Sequence, residues 1–151
     1  MLGLILAAGC GYGDDDAEEP PQATPAAAVP RTPEARADGG IAVGDFNNYL
    51  ETTRPAFASS SLRTAIEFTN TGEGQASVTT VVAEEGPEGG GDEASVRVTR
   101  EGLADDSVRA VRYVIELERG DDGTWRLRSA QRLQRCQPER GHQDFSPQLC
   151  T

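Results

Sequence analysis

From residue 41 onward the apolar positions fall first at helical and then at strand spacing. Phe46, Tyr49 and Leu50 form one helical face behind Asp45, a good N-cap, and Pro55 should stop that helix. Phe57 follows. Ser60 and Ser61 can cap a second short helix that sets Leu62, Ala65, Ile66 and Phe68 on one side. Asn70 to Gly74 is a turn cluster, and beyond it the period changes to two.

Residues 77–84, with Val78, Val81 and Val82, read as a strand, and 85–92, rich in glycine, as a loop. Residues 94–100 alternate Val96 and Val98 with Arg97 and Thr99. Residues 108–119 carry the clearest alternation, Val111, Tyr113, Ile115 and Leu117 against Arg112, Glu116 and Glu118. Gly120-Asp121-Asp122-Gly123 is a hairpin signal. Residues 124–134 return with Trp125, Leu127 and Leu133 on one face and Arg126, Arg128 and Arg132 on the other. Ser129 and Gln131 are the polar exceptions on the Trp125 face, and so the candidate pocket residues.

Helical segments followed by four antiparallel strands predict an α+β fold, with one or two short N-terminal helices packed on a curved four-stranded sheet. The element order resembles the cystatin-like and nuclear-transport-factor-like architectures, a likeness of order that carries no function with it. A single domain over 41–151 is expected.

Residues 1–10, Met-Leu-Gly-Leu-Ile-Leu-Ala-Ala-Gly-Cys, run from apolar to small to cysteine. They resemble the end of a bacterial lipoprotein signal peptide. The resemblance implies removal of 1–9, lipidation of the Cys10 thiol, and a place on the extracytoplasmic face of the cell envelope. Gly11 in place of Asp favours the outer membrane in a cell with two. The seven-residue apolar run follows no basic residue, so the natural start is expected upstream. It is too short for a transmembrane helix, which needs roughly 20 apolar residues. Residues 10–40 then read as an acidic, proline-rich tether ending at Gly39-Gly40.

Three cysteines leave an odd thiol, and lipidation of Cys10 removes it. Cys136 and Cys150 bracket a tail too rich in turn formers to extend the sheet, and an oxidising compartment favours a disulfide between them. Phe145 and Leu149 would dock that loop on the domain. With Asp105-Asp106-Ser107-Val108-Arg109 and Trp125, the tail resembles the ending of a group of uncharacterised exported bacterial proteins, a likeness over 41–151 that implies no activity. Two sharper readings compete with the disulfide: a zinc site of Cys136, His142, Asp144 and Cys150, whose spacing matches no usual pair, and a Cys–His dyad, which needs a free thiol.

The chain has no Lys, and its net charge of −11 excludes the basic footprint of a nucleic-acid binder. Stable membrane attachment must therefore come through the acyl chains on Cys10. No nucleophile elbow, phosphate loop or dinucleotide fingerprint is present, and neither catalytic residue, cofactor nor metal is expected. Asp105-Asp106 and Asp121-Asp122 read as solvated turn formers, Asp105 with a nearby Arg as partner. Arg112, Arg126, Arg128 and Arg132 should emerge near Glu116 and Glu118, either as cross-strand ion pairs or as a surface for an anionic ligand, wall polymer or envelope protein. Arg140 and His142 form an exposed loop tip with the same two readings. A non-enzymatic binding module is therefore expected. The alternative is a small enzyme or ligand carrier of the nuclear-transport-factor-like type, with a pocket between helices and sheet around Ser129 and Gln131.

Overall fold

The structure is a computed structural model that describes residues 27–70, 76–85 and 91–151. Cys10, its expected signal peptide, most of the tether, and parts of the two predicted turns at 70–74 and 85–92 lie outside the described residues. The elements are β1 (Gly40–Ile41), α1 (Gly44–Thr53), a 3-10 turn (Ala56–Ser59), α2 (Ser61–Thr69), β2 (Val78–Glu85), β3 (Glu93–Glu101), β4 (Val108–Arg119) and β5 (Trp125–Cys136). The fold is α+β: two helices pack on one antiparallel sheet in the order β1-β5-β4-β3-β2. The sheet has five strands rather than the expected four, because the two-residue β1 adds to the edge of β5. Two residues are too short to show a period.

Helix α1 begins two residues earlier than Asp45 as an N-cap would place it. Val43 is its N-cap, with no side-chain cap bond, and Asp45 lies in the first turn, where its negative charge suits the positive end of the helix. Arg54 ends it in the left-handed conformation (φ 44°) and donates its N–H to the Leu50 carbonyl, just ahead of Pro55. Ser60 caps α2 as expected, its hydroxyl accepting the Arg63 N–H. Ser61, Thr64, Ala65, Phe68 and Thr69 form the buried face of α2, and Leu62, expected there, is turned outward at 38% exposure.

The core is filled. Phe46 sets its ring edge-on to Phe68 at 5.2 Å, and Leu50 and Ala65 complete the helical side. They meet Val96 and Val98 of β3, Val111, Tyr113, Ile115 and Leu117 of β4, and Trp125, Leu127 and Ala130 of β5. Burying a Val, Leu or Phe side chain of this kind contributes about 1.5–3 kcal/mol.

Strand β5 departs from a simple alternation. Glu116 pairs with Ser129 but Leu117 pairs with Leu127, so Arg128 is an extra, bulged residue. The bulge reverses parity beyond it. Ala130, Arg132 and Gln134 lie opposite Ile115, Tyr113 and Val111 on the helix side of the sheet, while Ser129, Gln131 and Leu133 lie on the other. Leu133 therefore does not share a face with Trp125, nor Arg132 with Arg112.

The folded part also reaches further upstream than Ile41. Val29 and Ala35 pack against the core, the Thr32 hydroxyl donates to the Phe68 carbonyl, and the Arg36 N–H donates to the Gly40 carbonyl at 2.9 Å. Residues 27–39, expected in the tether, thus form a strap across the helix side of the domain. Proline rigidity lowers the entropy lost when such a segment docks. No helix among the described residues is long and apolar enough to cross a membrane.

Candidate ligand and partner surfaces

The tail is a closed loop. Cys136, the last residue of β5, is disulfide-bonded to Cys150 with the two Cα atoms 5.4 Å apart. Before closing, the chain runs back along the free edge of β5. Cys136 N–H donates to the His142 carbonyl at 3.0 Å. Gln134 and Ser146 exchange backbone bonds of 2.8 and 3.0 Å, and the Gln134 side chain donates to the Gln148 carbonyl at 2.7 Å. Gly141 turns with φ 136°, and a Cβ there would stand 2.9 Å from the Cys136 sulfur, so only glycine fits without displacing the bridge.

His142 holds this loop together from within. Its Nδ1 lies 2.8 Å from the Asp144 carbonyl oxygen and its Nε2 2.9 Å from that of Gln148. The four-residue zinc set reduces to three: Cys136, His142 and Cys150 bring their ligand atoms within 4.8 Å of one another, without the Asp144 carboxylate. The sulfurs are bonded to each other and both ring nitrogens face carbonyls, so neither a thiolate set nor a Cys–His dyad is available in this state. Arg140, at the exposed tip, accepts the Thr151 N–H on its carbonyl at 2.9 Å. Leu149 is not a plug: it is 82% exposed. Phe145 does dock, with its ring over the Arg112 guanidinium at 3.8 Å and that of Arg135 at 5.1 Å.

The predicted arginine group divides between the two sides of the sheet. Arg112 lies beneath Phe145 and donates Nε–H to the Thr99 hydroxyl at 3.1 Å. Desolvation, and then the neighbouring Arg97 and Arg135 charges, push its pKa down, with Glu101 opposing. Arg135 holds Glu101 at 2.5 Å, and Arg128 holds Glu93 at 2.7 Å. Arg126 lies between Asp122 at 2.9 Å and Glu51 at 3.4 Å. Its hydrogen bonds hold the Asp122 carboxyl far below the ordinary carboxylate range. Pairs this exposed are worth between nothing and about 1 kcal/mol each. Asp105 accepts the backbone N–H groups of Val108 and Ser107 at 2.6 and 2.8 Å. These two bonds lower its pKa, with Arg132 a minor contributor, so its main partner is backbone and not the expected Arg.

Arg132, on the helix side, lines a cleft of about 350 Å³ together with Tyr113. One wall is the strap, Thr32 through Arg36; the other is the tail, through Pro147 and Leu149. Arg132 gives an Nη1 hydrogen to Gln134 Oε1 at 3.0 Å. Arg36 leans on Asp38 at 3.6 Å, and Glu34 is the wall's one carboxylate. The sequence holds no signal for this site: it requires the parity change at Arg128, the docking of the strap and the return of the tail. Ser129 and Gln131, the expected pocket residues, are exposed and line neither this cleft nor two smaller ones of about 280 and 240 Å³ around Asp92, Arg119 and Gly120.

No protein-family model, curated protein or solved structure matches the chain.

Proposed function

We propose that the chain is a lipoprotein anchored to the cell envelope through Cys10, and that its domain is a non-enzymatic binding module whose site is the cleft between strap and tail. One observation carries the reading: the chain leading out of the tether and the disulfide-closed tail form opposite walls of a cleft that contains an arginine and a tyrosine. Arginine presents a planar fork suited to carboxylate or phosphate, so the ligand class is an anionic group, on an envelope protein or a wall polymer. The cysteine arithmetic supports the anchor, since the Cys136–Cys150 bridge leaves Cys10 as the remaining thiol.

The size of the cleft favours a second reading, a carrier of a small organic anion, because ligand pockets begin at roughly 300 Å³. A nuclear-transport-factor-like enzyme needs its cavity between helices and sheet, and that space is occupied by Phe46, Phe68 and their neighbours. The cystatin-like order is the better analogy for a domain with such a core.

Two experiments test the proposal. Cys10→Ala should abolish lipid labelling and release the protein from membranes; undiminished attachment would refute the anchor. Arg132→Gln should weaken binding to polyglycerol phosphate roughly tenfold, about 1.4 kcal/mol, while Arg128→Gln on the bulge should not. Equal loss in both would mean diffuse charge attraction and no site.

A further inference from the structure

Among the described residues β2 is an edge strand of the sheet, paired on one side only, to β3. Its eight residues pair in unbroken register from Val78–Glu101 to Glu85–Ala94. No Pro or bulge interrupts it and its charges, Glu84 and Glu85, sit together at one end, so most of its length lacks the devices that keep an edge from pairing with another chain. Val81 packs toward the core. Val78 and Val82, on the outward face, are 52% and 42% exposed.

We infer that the β2 edge is a self-association surface, where a second copy of this chain adds antiparallel across a two-fold axis at Thr80. An antiparallel two-fold stands normal to the sheet, so opposed residues must keep their faces and only registers pairing odd with odd or even with even are open. Three such axes pass through the strand's middle. At Val81, Val78 would meet Glu84, and at Val82, Thr80 would meet Glu84. At Thr80, Val78 meets the partner's Val82, Val82 meets the partner's Val78, and Thr80 meets the partner's Thr80. That register alone covers both exposed valines with each other, and it sets Glu84 opposite Ala76. Continued onto β3, it makes a row of four threonines, because Thr99 lies beside Thr80. The rows on either side run from Glu101 through the valine pair to the partner's Arg97, so no carboxylate faces a carboxylate.

A normal two-fold also keeps both helical layers, and both straps, on one side of the joined sheet. Two copies anchored by their N-termini in one membrane could therefore associate without strain, although the pairing itself does not require the anchor. A contact of one short strand belongs with interfaces under about 1,200 Å², which are weak and transient.

The test uses the full chain carrying Cys10→Ala, followed by sedimentation over a rising concentration series. A reversible dimer is expected, and Val82→Lys should raise its dissociation constant roughly tenfold or more while leaving unchanged the unfolding midpoint taken at concentrations where the chain is monomeric. In the same background Thr80→Cys should cross-link under mild oxidation, since directly opposed Cβ atoms lie about 4.5–5.5 Å apart. Ala83→Cys, which would face Ser77 of the second copy, should not. A monomer at every concentration, a dimer indifferent to Val82→Lys, or cross-linking through Ala83→Cys as fast as through Thr80→Cys would each overturn the inference.

Discussion

Along the edge of β5, backbone groups are met from elsewhere in the chain. The Asn47 side chain brackets Leu127, accepting its N–H at 3.0 Å and donating to its carbonyl at 2.8 Å. β1 pairs with Ala130 and Gln131, Gly39 accepts the Arg132 N–H, and the tail takes Gln134 and Cys136. Along β2 no described segment does any of this. The covered edge draws in the strap, the first helix and a disulfide-closed loop, and the cleft lies where strap and tail meet. An edge strand exposes unpaired N–H and C=O groups that will take a partner unless one is supplied. One edge is answered within the molecule; the other is left for association.

Removing the staple is the severest test of that contrast. Cys136→Ser with Cys150→Ser should cost about 3 kcal/mol, the chain-entropy value for a loop of this length. Hydrogen exchange should quicken at Gln134 and Cys136 and leave β2 amides as they were. Equal loss at both edges would mean that the tail supports the whole domain and not one side. Asn47→Ala should cost about 2 kcal/mol in denaturant unfolding, because it strands a backbone N–H and a C=O of Leu127; a loss near zero would show that water replaces the amide.

Asp105→Ala should cost about 1 kcal/mol, in the range of a lost helix cap. Its turn leads into β4, and the neighbouring Ser107 carbonyl accepts the Gln137 N–H at 2.7 Å, which ties it to the covered side. The Asp105 pKa is lowered on folding, so its contribution is present above the ordinary Asp value of about 3.9 and is lost as pH falls through the folded-state pKa. A carboxyl NMR titration should place the Asp105 midpoint below that value; a midpoint at or above it contradicts the geometry. Smallest of all, Val82→Thr should move monomer stability by less than about 0.5 kcal/mol, as an exposed change away from caps and core. A larger loss would mean the β2 edge is already covered.

The helix–sheet division and the β4 face were legible in the sequence because Val111, Tyr113, Ile115 and Leu117 alternate without interruption. β5 was legible only as far as Leu127. Arg128 and Ser129 are both polar, so the bulge at Arg128 leaves no mark in the apolar pattern. Strict alternation continued past Arg128 has the wrong parity and misplaces Arg132, Leu133, Ser129 and Gln131 together. The disulfide could be read from the cysteine count, since it needs only a compartment and a spare thiol. The cleft could not, because its walls are a proline-rich strap and a turn-rich tail that look alike as loops until the tertiary fold gives them something to lie on.

The strap has a mechanical consequence. Tension applied upstream of residue 27 would load the Thr32–Phe68 and Arg36–Gly40 bonds before any long strand pairing. The first thing a pull would peel away is one wall of the cleft, while the opposite wall stays fastened by the disulfide. A ligand gripping both walls would resist that extension, and tension would in turn release it.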